Sequence, residues 1–338
     1  MTLHLNLLFH LYDDDGTSDT GRPDATARAY ADLLRLARQA DRLPGIARVW
    51  LAEHHRPTRG RLPAPLLLSV AVARETRRIG IGPCVLILPL HQPFDVAEQV
   101  AVADLLSDGR LAVGVGSGGD AAELALFDVP SEQRRDRFAE GLEVLRLALS
   151  GEPFSYSGAH YTVPQAQVAP LPLQTPEQLL WVAAGSEGSA AMAGRSGGHL
   201  LLARGTPTPT LRGLVAAYRA ARAAAGYRAD GTRVQVTRGV YVARDEDSAW
   251  REAAEGVRRH YARLARYRGE EVDPREMARR GDFIIGTPEQ CAAALALVAA
   301  GVPVTDLACD IALPGMPVER VERSLDLLGR IVVPLLGF

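Results

Sequence analysis

The 338-residue chain has little that would mark it for a membrane, a nucleic acid or an oxidising compartment. Its three cysteines, Cys84, Cys291 and Cys309, are odd in number and widely spaced, which argues against a disulfide framework and a zinc knuckle. A net charge of -2 gives no electrostatic case for nucleic acid or an anionic bilayer. No apolar run approaches the ~20 residues of a membrane span, because even CAAALALVAAGVPV ends in Gly and Pro. The opening MTLHLNLLFHLYDDDG lacks a basic start and runs into three aspartates, so no secretory leader and a cytoplasmic location are expected. Hydrophobic residues at 47% and charged residues at 23% are instead the proportions of an ordinary globular chain, long enough for a large core.

What the chain does have is alternation. Short apolar runs begin at Leu3, Arg48, Ile79, Arg110, Leu179, His199, Val234 and Asp306, and 3.6-period segments fall between them. The helical stretches run over 24–41, 63–75, 95–106, 131–149, 186–196, 210–225, 245–265, 288–300 and 317–332. Ser131 and Thr287 stand where N-caps belong, the latter followed by Pro at the first helical position. Eight strand and helix units predict an α/β fold, a (β/α)8 TIM barrel with insertions in the βα loops, as one domain over 1–338. Three segments break the alternation: a polar loop at Asp13 to Asp24, a small hairpin from Phe154 turning at Ser157 and Gly158, and a charged excursion at Tyr267 to Asp282. Long loops at the C-terminal ends of barrel strands commonly build the site.

Three constellations could carry chemistry. VWLAEHH places Glu53, His54 and His55 where the second strand stops, at the mouth of a barrel. A structural cluster, a metal site and a catalytic rim all fit that triplet. The remaining histidines form no metal-binding pattern, which leaves the catalytic reading ahead and no metal expected. GVGSGGD holds Gly114, Gly116 and Gly119 in dinucleotide-fingerprint spacing, but no helix opens at the last glycine, so close approach of a flat ligand to the backbone competes with that reading. WVAAGSEGSAAMAGRSGG ends a strand at Ala184, turns at Gly185 and offers Ser186 as a helix cap, a phosphate-binding end or an ordinary capped helix.

Taken together, VWLAEHH, LPLHQPFDVAEQVAVADLLSDGRLAVGVGSG, LLWVAAGSEGSAAMAGRSG and IIGTPEQCAAALALVAAGV resemble the bacterial luciferase-like flavin monooxygenases, from about Leu3 to Leu336. The resemblance implies a barrel holding FMN across its C-terminal mouth, with the phosphate near the fifth strand–helix junction. His54 falls on the family's catalytic histidine, and Glu53 and His55 complete its motif. Cys84 and Val85 fall on a third-strand bulge, often a non-proline cis peptide, beneath the isoalloxazine. Gly185, Ser186 and Ser189 fall on phosphate-loop positions. There are two departures. Ser117 and Gly118 stand where luciferase carries a basic phosphate ligand, and Gly116 replaces its reactive cysteine, so light emission is not implied.

The resemblance further implies a monooxygenase acting on a small organic or natural-product substrate with O2 through a C4a-peroxyflavin. Its FMN would arrive reduced from a partner flavin reductase. Glu-His-His favours FMN over the deazaflavin F420, whose users tend to carry Asp-His. F420-dependent hydride transfer and a flavin-binding barrel without turnover remain the alternatives. A homodimer through the helices at Pro63 to Glu75 and Asp95 to Leu106 is also expected, with no nucleic acid or membrane partner.

Overall fold

A computed structural model describes residues 3–11, 23–56, 61–262 and 273–337. The first strand, β1 (His4–Phe9), pairs in parallel with β2 (Ile46–Leu51) and, on its other side, with the last, β12 (Asp306–Asp310). Beyond β2 come β3 (Gly80–Pro83) and its continuation β4 (Leu86–Ile87), then β5 (Val113–Gly116), β8 (Leu180–Ala184), β9 (His199–Leu202) and β10 (Val234–Val242), which meets β12 again. A bridge from Ile81 to Leu111 and the pairing of β4 with β5 close the ring. This is the parallel barrel of the (β/α)8 class. The strands are buried on both faces, as parallel strands are, and β10 is buried at every position.

Helices cover the outside: α1 (Pro23–Asp41), α2 (Pro65–Glu75), α3 (Pro93–Leu106), α4 (Ala121–Ala125), α5 (Arg134–Leu149), α6 (Pro176–Leu179), α7 (Glu187–Arg195), α8 (Thr208–Ala224), α9 (Glu246–Ala262), α10 (Pro274–Arg279), α11 (Pro288–Gly301), α12 (Val318–Leu327) and α13 (Val333–Leu335). The cap expected at Thr287 forms: Gln290 N donates to its hydroxyl at 3.3 Å, and Gln290 Oε1 accepts from Thr287 N at 2.9 Å. The cap expected at Ser131 does not. Residues 130–133 make a turn closed by Gln133 N onto Pro130 O at 3.0 Å, and α5 begins only at Arg134. The small hairpin is present as β6 (Phe154–Ser157) and β7 (Thr162–Ala166).

Two features depart from the strand expectations. The run from Ile79 is not one strand: Pro83 has no N–H to give a ladder, the Cys84–Val85 peptide is cis, and pairing resumes at Leu86. A further strand, β11 (Phe283–Gly286), lies at the end of the charged excursion and pairs with the outer half of β10, from Gly239 to Val242. Four residues ahead of a capped helix are too few to show a period. The polar loop over 12–22 and the excursion over 263–272 lie outside the described residues. Among those described, no helix is long and apolar enough to cross a membrane. Leu67, Val102, Leu105 and Leu106 leave an exposed apolar face on α2 and α3.

The barrel interior divides into a floor and a mouth. At the floor Asn6 donates to Gln235 Oε1 at 2.7 Å and to Asp306 Oδ1 at 2.9 Å, and Trp50 Nε1 donates to the same Gln235 oxygen at 2.8 Å. Arg48 lies between two indoles, 5.0 Å from Trp50 and 5.2 Å from Trp181, and its Nε and Nη1 have no hydrogen-bond partner. Burial pushes its guanidinium down to about 10, still charged at neutral pH. Above that layer Leu8, Trp50, Ala52, Ala112, Trp181, Leu201 and Ala308 pack into an apolar plug. The cavity therefore begins above the plug, at the C-terminal strand ends.

Candidate active site

That cavity has a volume of about 540 Å³ and draws its walls from the ends of nearly every barrel strand. One wall carries the Glu53, His54 and His55 triplet, split by its alternating side-chain directions. His54 faces the cavity, and its Nδ1 lies 3.4 Å from Glu123 Oε1 of α4. Glu123 also accepts from the His55 amide at 3.1 Å. Burial pushes the Glu123 carboxyl up, but His54 and that amide outweigh it and hold the group below the usual carboxylate range. His54 thus has a carboxylate at ion-pair distance behind it, which favours its protonated form.

Glu53 does not orient His54. Its Oε1 accepts from His55 Nε2 at 2.8 Å and from His91 Nε2 at 2.7 Å, and its Oε2 accepts from the Ile87 amide. Three groups of metal-binding type converge there, with their ligand atoms within 4.8 Å of one another. The 2.7 and 2.8 Å edges are hydrogen-bond lengths, shorter than the roughly 3.3 Å between neighbouring ligand atoms on a tetrahedral ion. The trio is a hydrogen-bonded clamp. His55 completes it with its ring edge-on to Phe127, centroids 4.6 Å apart.

The adjoining wall carries polar groups absent from the expected set. His10, directly after β1, stacks on His54 with centroids 5.5 Å apart and planes 21° from parallel. Its Nε2 stands 3.5 Å from Asp310 Oδ2, which also accepts from Arg204 Nη1 at 2.7 Å. Arg204 follows β9, reaches the His260 ring at 3.0 Å and covers the Phe283 face at 4.8 Å. Burial pushes the Asp310 carboxyl up to about 6 despite the guanidinium. His10, His91, Arg204 and Asp310 all sit at or just beyond strand ends. The placement rule that selects Glu53 to His55 finds them when it is applied to every strand rather than to one motif.

The remaining wall is built of small residues. Cys84, Val85, Gly116, Ser117, Ala183, Ala184 and Gly185 line it. The glycines divide into two kinds. A Cβ on Gly114 would stand 2.6 Å from Pro83 O, and one on Gly116 would stand 2.8 Å from Val85 Cγ2, so these two make room for the broken third strand. At Gly119 and Gly185, which line the cavity, a Cβ would meet nothing within 4 Å, so the cavity is open at these two positions. Ser186 caps α7, accepting from Ser189 N at 3.3 Å, while Ser189 Oγ accepts from Ser186 N at 3.0 Å. Ser186 is exposed and Ser189 half-buried. Arg134 donates to Gly118 O at 3.3 Å and is a basic side chain beside the loop that follows β5. Burial pushes the Cys84 thiol up to about 12, and the side chain lines the wall as a neutral thiol at neutral pH.

The cavity therefore brings His54, Cys84, Val85, Gly116, Ser117 and Gly185 together, places Ser186 and Ser189 at the helix end following Gly185, and turns Glu53 and His55 toward the clamp. Residues 1–303 match the luciferase-like monooxygenase family. The chain belongs to that family.

Its relatives within and around the family divide by cofactor. The chain is 32% identical over 271 residues to an F420-dependent glucose-6-phosphate dehydrogenase of Kineococcus radiotolerans, covering 76% of this chain and 78% of that one. It is 27% identical over 170 residues to the oxygenase component of the flavin-dependent trigonelline monooxygenase of Acinetobacter baylyi, covering 50% and 47%. The first curated relatives are matched over about half their length, 54% and 45%. The crystal structure of the monooxygenase RslO1 from Streptomyces bottropensis superposes with a TM-score of 0.87 over 99% of both chains at 24% identity, which establishes the shared barrel.

Proposed function

We propose that this family member is a flavin-dependent monooxygenase that takes up reduced FMN from a separate reductase and oxidises a small organic substrate with O2. The observation that carries the reading is the pairing of a carboxylate-backed imidazole with an open, glycine-edged slot across one cavity. A flat ring fits where Gly119 and Gly185 leave space, over the Cys84 and Val85 wall. The free N–H groups of α7, with Ser186 and Ser189, suit a phosphate, and Arg134 supplies the basic partner that Ser117 cannot. Reduced flavin, when bound, supplies the activation of oxygen.

The protein's own residues then have three tasks. The apolar plug and walls keep water from the reacting centre, the cradle fixes the ring, and His54 moves a proton at its cavity-facing nitrogen while Glu123 stabilises the imidazolium. The relative named as an oxygenase component supports a reductase partner. A second reading, F420-dependent hydride transfer, is favoured by the longer match to the Kineococcus dehydrogenase. His54→Ala tests the first. FMN affinity stays within about threefold, because the phosphate contacts lie on another loop, while single-turnover oxidation falls by ~10² to 10⁴. Tighter binding of F420 than of FMN by the wild type transfers the reading to the second. The exposed face of α2 and α3 joins two copies, so light scattering should give twice the 36.3 kDa chain mass.

A further inference from the structure

The Glu53 carboxylate gathers donors from three places in the chain, and two of them are the ends of one short segment. Ile87 is the last paired residue of β4. A single 3₁₀ turn, Leu88–Leu90, follows, and His91 closes it with its amide on Leu88 O at 3.0 Å. Glu53 holds the first residue by its amide and the last by its imidazole at 2.7 Å. The same segment grows directly out of Cys84 and Val85 in the cavity wall, and Val85 is seated against Gly116, where no Cβ would fit. Glu53 is 2% exposed, and His55 supplies its third donor.

We propose that Glu53 and His91 are positioning residues for the cofactor ring: one buried carboxylate staples both ends of the 87–91 turn and so fixes the Cys84 and Val85 platform against which the ring rests. This deepens the flavin reading and rests on it. A carboxylate is acceptor-only, so it meets three N–H donors without a clash, and charge-assisted bonds of this kind are the strong ones in a dry site. Within Glu53, His54 and His55 the labour is divided. His54 turns to Glu123 and handles protons, and its neighbours on both sides hold the platform.

Two variants separate this from plain structural support. His91→Ala cuts one tie at a half-exposed side chain, and Glu53→Gln keeps the volume while replacing one acceptor oxygen with a donor that faces donors. Amide hydrogen exchange over 85–91 is read alongside titration with riboflavin, which has the ring without the phosphate, and with FMN. In both variants exchange over 85–91 rises about tenfold or more. Riboflavin and FMN weaken by the same factor of about ten, the worth of one such bond. His91→Gln, which restores a donor, recovers most of the loss. A folded His91→Ala protein with unchanged riboflavin affinity, or with unchanged exchange over 85–91, overturns the proposal, and it carries the test even if Glu53→Gln fails to fold. A wild type that binds neither riboflavin, FMN nor F420 sinks the flavin reading itself and the platform with it. Normal wild-type binding with unmoved variant affinities sinks the platform alone.

Discussion

Glu53 and Asp310 end strands that stand two apart in the barrel, one on each side of β1, and both are almost wholly buried, 2% and 1% exposed. They nevertheless titrate in opposite directions. Burial pushes the Glu53 carboxyl up, but hydrogen bonds from His55, His91 and the Ile87 amide overcome it and hold the group below the usual range. Burial pushes Asp310 up as well, and there Arg204 and the Ala312 amide do not compensate, leaving the group at about 6. Asp310 has one side-chain donor, Arg204, whereas both oxygens of Glu53 are taken. Depth alone therefore does not decide where a buried carboxylate titrates; the donors aimed at it weigh against the burial.

The largest expected effect follows from breaking that contrast by pH. Asp310 binds its proton more tightly folded than unfolded, so it favours the fold below about pH 4, and that contribution is lost as pH rises through about 6. Two units correspond to about 3 kcal/mol at most. Asp310→Asn should flatten the wild type's decline in urea stability between pH 4 and 6.5, and a parallel decline in both proteins would refute the assignment. Glu53 has the opposite sign. Its contribution is present above the ordinary carboxylate range and is lost as pH falls below about 4. The stability gap between wild type and Glu53→Gln should therefore be widest at neutral pH and close on acidification.

A smaller effect sharpens the comparison by moving to a group that is exposed rather than buried. Ser186→Ala removes the α7 cap and should cost ~1 kcal/mol of stability with no pH dependence between 5 and 8. It should weaken FMN several-fold while leaving riboflavin unchanged, unlike the equal losses expected at His91. Equal losses for the two ligands would place the phosphate elsewhere.

The barrel was readable because alternation of apolar runs and helical periods is a long-range pattern that eight units repeat. Thr287, Pro288 and Gln290 carry their cap in three letters, and it forms as expected. The interruption at Pro83 to Val85 shows in no periodicity, since IGIGPCVLIL is apolar throughout. Strand β11 is hidden for the opposite reason, being shorter than the window in which a period can be counted. At the site, Glu53, His54 and His55 were legible as a cluster but not as two functions, because the partners that divide them, Glu123 and His91, lie 68 residues from His55 and 38 residues from Glu53 along the chain. His10, Arg204 and Asp310 are single letters at strand ends. Only the closure of the ring brings β1, β9 and β12 around one cavity.

The indole-lined floor has an optical consequence. Of the three tryptophans, Trp50 and Trp181 are fully buried beneath the cavity, edge to face with centroids 5.5 Å apart, while Trp250 lies on α9 against Arg275 at 4.8 Å. The short-wavelength part of the chain's ultraviolet emission therefore comes from inside the barrel, a layer below any bound chromophore, and the long-wavelength part from an outer helix. A yellow ring settling on the cradle would dim the first component, so the molecule carries its own light gauge for the filling of its mouth.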